Sequence, residues 1–276
     1  MLDKKDYMEP ICPFDRDFHK DVKAAGPKRR ISVSEMISQV DRLHARNDKD
    51  GAIRVLEQYR GEAQGYGDTD GELAAISELL GSYRITKREE EGLKTADRCF
   101  ELLKISGIGG SVSAGTILVN CATMLSSFGK TDLAIKCYTD ACRCYANHLP
   151  PEDTRFAALY NNMASVYEQS GDFESAEKYY KTAIAVLLKN GGKQECLLDL
   201  SVTYINLAQL YTASENYQAA ETYVKKAEDI LDAEDMVRDY YYAHTAEKIA
   251  GGFGYLGYFM KEAELAERAK EIYERN

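Results

Sequence analysis

The stretch Tyr160-Asn161-Asn162-Met163-Ala164-Ser165-Val166-Tyr167 decides the fold, because its pattern recurs along the chain. The same spacing of tyrosine, apolar residue, alanine and tyrosine returns over residues 204–211 and, more loosely, over residues 118–125. With the small residue as the anchor, the series runs Val40, Gly81, Ala122, Ala164, Ala208 and Ala250. The successive spacings are 41, 41, 42, 44 and 42 residues. A fixed period of this length is typical of stacked supersecondary units.

Each unit is predicted to be a pair of antiparallel helices, and residues 155–190 show this best. Apolar residues recur there every three or four positions, which places one stripe along a helix. Gly171 favours a left-handed closing turn, and Asp172 can cap the helix that follows. Small residues also recur twelve and nineteen positions after the anchors, where they allow close helix packing. They are Ala52, Ala134, Ala176 and Ala220, and then Ala141, Ala183, Ala227 and Ala269.

Composition supports a soluble helical chain that acts on neither nucleic acid nor membrane. The formal net charge of −10 argues against phosphate binding, which depends on clusters of Lys and Arg. All five prolines lie at or before Pro151, so the helices that follow contain no residue that breaks them. No window approaches the roughly 20 apolar residues of a membrane span, and the first residues lack the apolar core of a secretory signal.

The seven cysteines favour free thiols in a reducing cytoplasm, because most fall on predicted buried faces. The fragment Cys142-Arg143-Cys144 has no second Cys or His pair at a metal-binding spacing. We therefore expect a cytoplasmic protein with no metal and no cofactor.

These residues resemble the tetratricopeptide repeat, most closely in the units around Ala122, Ala164 and Ala208. The period of about 42 residues and the linker at residues 148–154 look most like the kinesin-light-chain-type branch. The resemblance covers about residues 31–276 and implies an all-α, right-handed α-α superhelix of six helix pairs. The pairs are expected at about residues 31–64, 70–106, 112–148, 152–190, 194–233 and 236–276. Residues 1–30 are expected to form an N-terminal arm, partly disordered or packed as a cap.

The pattern is irregular in the first unit, where Gln39 precedes the anchor, and in two further units. Around Gly81 the second helix fits only with a one-residue deletion, which uses Gly92 and Cys99 at the small positions. In the last unit, Glu262 stands where a small residue is expected. Terminal repeats are often atypical because their outer faces meet water.

A ligand-binding groove is predicted from asparagines that recur two positions before the anchors, at Asn120, Asn162 and Asn206. In the family that the chain resembles, the first helices line the concave wall, so the resemblance implies that these amides face a groove. An amide that both donates and accepts can pair with the backbone of an extended peptide. The neighbouring groove candidates are Asn161, Thr123, Ser165, Gln209 and Glu168. The alternative is that the asparagines bridge adjacent first helices and only stabilise the stack.

The C-terminal unit offers a second polar and aromatic site, formed by His244, Glu247, Lys248 and Tyr255. Its alternative is a solvated ion-pair face. The nearby Gly252-x-Gly254-x-x-Gly257 matches a dinucleotide-binding pattern, but it follows a helical stretch rather than a strand, so nucleotide binding is not expected. Close helix packing or an aromatic binding surface would each explain the glycines and tyrosines of this segment.

The sequence therefore predicts a cytoplasmic scaffold that binds a protein or peptide of unknown identity in a groove lined by the asparagines. A second hypothesis is a self-assembling protein that forms a homodimer through its aromatic C-terminal repeat. No catalytic residues are assigned, because the four histidines are scattered, and an enzyme acting through His244 and Glu247 is the least favoured alternative.

Overall fold

The computed structural model describes residues 27–275, and every regular element in that range is an α-helix. The helices are α1 (Val33–His44), α2 (Lys49–Tyr66), α3 (Thr69–Thr86), α4 (Glu89–Ile105), α5 (Val112–Ser127), α6 (Thr131–Ala146), α7 (Thr154–Gln169), α8 (Phe173–Lys189), α9 (Gln194–Ala213), α10 (Tyr217–Leu231), α11 (Tyr240–Tyr255) and α12 (Phe259–Arg275). Consecutive helices pack as pairs, α1 with α2 through α11 with α12. The prediction of an all-α solenoid of six helix pairs is confirmed.

The chain divides into two compact units between Leu149 and Pro150. Helices α1 to α6 form the first unit, and helices α7 to α12 form the second. Within the described residues, each helix is too short or too polar to cross a lipid bilayer.

The turn inside the fourth pair shows how the sequence sets the helix ends. Gly171 has a φ of 82°, a left-handed conformation that glycine adopts without steric cost. The carboxylate of Asp172 then accepts a hydrogen bond of 3.0 Å from the Ser175 amide and caps α8. The predicted turn is therefore confirmed. Side-chain oxygens also cap the other helices that begin after Ser32, Asp48, Asp68, Ser111, Asp153, Asn216 and Asp239.

The predicted small positions form the core of each pair. The anchors Ala122, Ala164 and Ala208 are completely buried, and so are Ala176 and Ala183 on the facing helix of the fourth pair. The irregular second pair uses the shifted positions, since Gly92 and Cys99 are buried in α4. A Cβ added at Gly92 would lie 3.0 Å from the Met124 sulfur, so α4 and α5 pack closely at this position.

The glycine-rich segment lies in α11 and its C-terminal turn, so the dinucleotide-like pattern is helical. A Cβ at Gly252 would lie 2.5 Å from Cγ2 of Ile205, and Gly254 leaves room for the carboxylate of Glu262. Gly254 thus explains how the last unit accommodates Glu262 at a small position. Gly257 ends the helix with a φ of 88°. Gly251, by contrast, is exposed, and an added Cβ would meet open space.

Residues 27–31 lie against the corner between α2 and α3. The Lys28 amide donates to the Tyr66 carbonyl at 3.0 Å, and the Ile31 amide donates to the buried carboxylate of Asp68 at 2.9 Å. The rest of the predicted N-terminal arm lies outside the described residues.

Candidate functional site

The first helices of the second unit form one contiguous surface. Helix α9 contacts α7 through a 3.1 Å hydrogen bond from Asn206 to Asn161. It contacts α11 where Ile205 packs on Gly252, and where the Tyr241 hydroxyl donates to Asp199 at 2.9 Å. We call the solvent-facing side chains of α7, α9 and α11 the first-helix face. It is the surface on which the sequence placed the groove.

The three asparagines have different surroundings. In the first unit, Asn120 of α5 donates to the Ser77 hydroxyl of α3 at 2.8 Å. In the second unit, Asn206 bridges α9 and α7 through Asn161. These two contacts are the helix-bridging role that the sequence left open as the alternative. Asn162 is half-buried, and its side-chain amide makes no hydrogen bond to any residue between 27 and 275. Asn162 is therefore the asparagine whose amide remains available for a ligand.

The other predicted groove residues are only partly open to solvent. Thr123 of α5 donates to the Val119 carbonyl at 2.9 Å and lies 2.9 Å from the Tyr138 hydroxyl, so it faces the second helix of its pair. Ser165 accepts a hydrogen bond of 3.2 Å from Gln169. Gln209 lies beside Gly252, where its amide nitrogen is 3.4 Å from the position of an added Cβ. Ser165 also hydrogen-bonds Tyr180 of α8, so, like Thr123, it faces the second helix of its pair. Gln209 lies near Asn206 on the first-helix face.

Glu168 is a half-buried carboxylate at the end of α7. Its partner is the hydroxyl of the buried Tyr180, which donates to it at 2.8 Å. Burial raises the pKa of Glu168 above its ordinary value, and the hydrogen bond from Tyr180 offsets part of that rise. Burial, with the charge of Glu168, raises the pKa of Tyr180 as well. The pair links α7 to α8.

A second carboxylate lies between α9 and α11. Burial raises the pKa of Asp199, while the hydrogen bond from Tyr241 and the charge of Lys248 lower it. Lys248 itself is exposed. Lys248 lies 42 residues after Asn206, so in the last unit it occupies the position that asparagine occupies in the three central units.

The predicted C-terminal site does not converge on one point. Glu247 accepts a 3.0 Å hydrogen bond from Tyr273 of α12, whereas the charge of Lys248 acts on Asp199 of α9. Burial, followed by the bond to Glu247, raises the pKa of Tyr273 to about 12. His244 is exposed between these two sides, and Tyr255 is 64% exposed. The four residues share the exposed side of α11.

Two groups of stacked tyrosines were missed at the sequence level. In the fourth pair, Tyr179 stacks on Tyr167 with ring centroids 5.4 Å apart and lies 6.1 Å from Tyr160. The fifth pair repeats the arrangement with Tyr204, Tyr211 and Tyr223, and the Lys226 ammonium lies 4.7 Å from the centre of the Tyr223 ring. The signal was present, because Tyr179 and Tyr223 are also 44 residues apart. These rings join first and second helices, so they stiffen the pairs that carry the first-helix face.

Comparison with known proteins identifies the repeat. Residues 155–233 match a family model described as "Tetratricopeptide repeat". They cover the fourth and fifth pairs, which are therefore similar to the tetratricopeptide repeat. A comparison with curated protein sequences gave no significant match.

Several solved structures share the fold at low sequence identity. BtubC (BKLC) from P. vanneervenii is 19% identical, with 89% of this chain and 92% of that chain covered and a TM-score of 0.53. The nearly identical repeats of a putative kinesin light chain from Podosopora anserina are 17% identical, with 74% and 95% covered and a TM-score of 0.53. The apo quorum sensor NprR from B. thuringiensis is 16% identical, with 88% and 65% covered and a TM-score of 0.55. The resemblance to tetratricopeptide-repeat proteins, including kinesin-light-chain-like repeats, is confirmed.

Proposed function

We propose that this chain binds an extended peptide segment on its first-helix face. It shares its fold with tetratricopeptide-repeat proteins, and that fold suggests a protein-interaction scaffold. The observation that supports this is Asn162. Its register partners Asn120 and Asn206 each bond to a neighbouring first helix, while its own amide has no partner among the described residues. A free amide on this face can donate to and accept from a peptide backbone.

The surface around Asn162 adds polar groups that suit an extended chain. Gln209 lies on α9 beside Gly252, and Ser165, one turn further along α7 and bonded to Tyr180, is partly open to solvent. Each hydrogen bond adds about 0.5–1.5 kcal/mol net, so the amides alone give weak binding. Side-chain contacts supply the rest of the affinity and the specificity. The kind of peptide is not set by these groups, because backbone amides are common to all sequences.

Asn162→Ala tests this function because it separates binding from stability. Peptides selected on the wild-type protein from a random phage-displayed library serve as the probe, as synthetic, labelled peptides. The substitution removes an amide with no internal partner, so the melting temperature should not change. Peptide affinity should fall by about five- to tenfold, the equivalent of roughly 1–1.4 kcal/mol.

Two further variants serve as controls. Asn206→Ala should lower the melting temperature as well as binding, because it leaves Asn161 without its partner. Asn147→Ala, at an exposed site after α6, should change neither. Unchanged peptide affinity in Asn162→Ala would reject the groove and leave the asparagines with a structural role.

Self-association through the C-terminal repeat is a second candidate, favoured by exposed aromatic rings on α11. Tyr240 is 67% exposed and Tyr255 is 64% exposed. Burial of such rings in a dimer would remove apolar area from water. Light scattering over a hundredfold range of concentration tests it, and a constant monomer mass would reject it.

A further inference from the structure

An open pocket lies beside the turn that joins α11 to α12. It has a volume of about 470 Å³, which is in the range of small-ligand sites. Helix α10 contributes one side chain to its wall, and the turn and the first residues of α12 contribute the others. The lining residues are Glu228, Gly257, Tyr258, Phe259, Met260, Lys261 and Glu264.

The single cation of this lining is already matched by carboxylates of the protein. Lys261 is buried, and its ammonium lies 2.6 Å from Asp232 and 3.1 Å from Glu264. Arg268 of α12 bonds to the same two carboxylates. Two cations and two carboxylates therefore balance each other, and they join the C-terminal end of α10 to α12.

Glu228 is the lining carboxylate without such a partner. Its side chain is half-buried and makes no hydrogen bond or ion pair with any described residue. Burial raises the pKa of Glu228, and only the charge of Lys261 acts in the opposite direction. The negative charges of Asp232, Asp229 and Glu264 add to the rise. A carboxylate in such surroundings is stabilised by a further cation.

The rest of the lining is aromatic and apolar. Burial raises the pKa of Tyr258, and the charges of Glu221 and Glu228 raise it further. Phe259 and Met260 are 69% and 87% exposed, so a ligand can cover both side chains. Ring faces attract cations, and methylated ammonium groups bind in aromatic pockets. Hard metal ions instead require several oxygen ligands, which rings and a thioether do not supply.

We propose that this pocket binds an alkylammonium group, either the side chain of a lysine in a partner protein or a free amine. Its positive nitrogen pairs with Glu228, and its carbon chain covers the rings of Tyr258 and Phe259. The site goes beyond the proposed peptide binding and does not depend on it, because the pocket lining and the first-helix face share no residue.

Titrations of the full chain, followed by the amide NMR signals of residues 257–264, test the proposal. The probes are lysine blocked at both ends, its trimethylated form, and putrescine, and norleucine blocked in the same way is the neutral control. The ammonium probes should shift these signals until they saturate, and norleucine should not. Tighter binding of the blocked lysines identifies a protein side chain as the ligand, whereas tighter binding of putrescine identifies a free amine.

Three variants locate the binding in the pocket. Glu228→Gln keeps the size of the side chain and removes its charge, so it should bind the ammonium probes about fivefold less tightly. Phe259→Leu keeps an apolar side chain but removes the ring, so it should weaken binding of the trimethylated lysine. Glu215→Gln removes the same charge as Glu228→Gln at an exposed site beyond the other end of α10, about 15 Å or more away, and should bind as the wild type does.

Melting temperatures of the variants accompany the titrations. Glu228→Gln should melt no lower than the wild type, because the charge that it removes has no partner among the described residues. Equal binding of norleucine, equal affinity of Glu228→Gln and wild type, or unchanged signals with every ammonium probe would each overturn the proposal. If Glu228→Gln melts at a lower temperature, Phe259→Leu, at an exposed position, serves in its place.

Discussion

At the scale of single residues, several carboxylates that lie between helices accept hydrogen bonds from tyrosine hydroxyls. Glu168 accepts from Tyr180, Asp199 from Tyr241 and Glu247 from Tyr273, at 2.8, 2.9 and 3.0 Å. A hydrogen bond to an ionised acceptor is stronger than a neutral one, which offsets part of the cost of burial. Each pair joins two helices, so a side chain that looks like a groove residue in sequence also stabilises the fold.

Glu168→Gln should make the protein less sensitive to pH without breaking its contact with Tyr180. Burial raises the pKa of Glu168 in the folded state, so the fold favours the protonated carboxyl. The wild type has its full stability below the ordinary pKa of 4.5 and loses part of it as pH rises through the folded pKa. Glutamine carries no charge and still accepts from Tyr180. Urea unfolding at several pH values from 4 to 7 should show the variant gaining on the wild type as pH rises.

Glu234→Gln is the matched control, since Glu234 is exposed between α10 and α11. It should follow the wild type at every pH. A constant difference between Glu168→Gln and wild type across this range would contradict the assignment of the titration to Glu168.

At the scale of helices, neighbouring glycines of α11 have different roles. The side chain of Ile205 of α9 packs against the backbone of Gly252, so Gly252 allows these two first helices to approach closely. Gly251 faces open space on the exposed side of the same helix. Glycine destabilises a helix interior by about 0.8–1 kcal/mol relative to alanine. At Gly252 the contact with Ile205 offsets this penalty, whereas Gly251 has no such contact.

Alanine substitutions of the two glycines should therefore have opposite effects. Gly251→Ala should raise the free energy of unfolding by about 0.8–1 kcal/mol, because it removes backbone freedom and meets no neighbour. Gly252→Ala should lower it by about 1–3 kcal/mol, because the new methyl group overlaps Ile205. Chemical denaturation of the two variants measures both values.

A double variant checks the cause of the second effect. In an Ile205→Ala background the added methyl has space, so Gly252→Ala should cost less than it does in the wild type. An equal cost in both backgrounds, or stabilisation by both glycine substitutions, would contradict the contact between α9 and α11.

At the scale of the whole molecule, the described chain is a row of helix pairs in two compact units. Contacts within each unit join a pair to its neighbours in sequence, as when α9 meets α7, α8, α10 and α11. The stability of such an array is approximately a sum of local terms and nearest-neighbour terms. A local defect should therefore have a local effect.

Ala164→Leu should destabilise the fourth pair first. The added atoms overfill a completely buried position, at a cost of about 1–3 kcal/mol. Amide hydrogen exchange should accelerate most in α7, α8 and α9, and least in α1 to α4. Ala158→Leu, at an exposed site of the same helix, should leave the exchange pattern unchanged. Uniform acceleration along the chain would show that the protein unfolds as one unit.

The sequence by itself determined the repeat, the helix pairs and the buried small positions, because these depend on local periodicity. Spacing identified Ala122, Ala164 and Ala208 as core, and the turn at Gly171 and Asp172 follows from the conformations that these residues favour. The same reasoning placed the asparagines on first helices. Their register was visible because identical units repeat.

Only the tertiary structure decided what each of these polar groups contacts. Periodicity gives Asn162 and Asn206 the same position, yet Asn206 bonds to Asn161 while Asn162 has no partner in the described part of the chain. Likewise, Gly251 and Gly252 are adjacent in sequence, and only the second meets a neighbouring helix. The physical reason is that a side chain's partner depends on the helix packed beside it. That distance and orientation arise from the stacking of pairs, which no single repeat encodes.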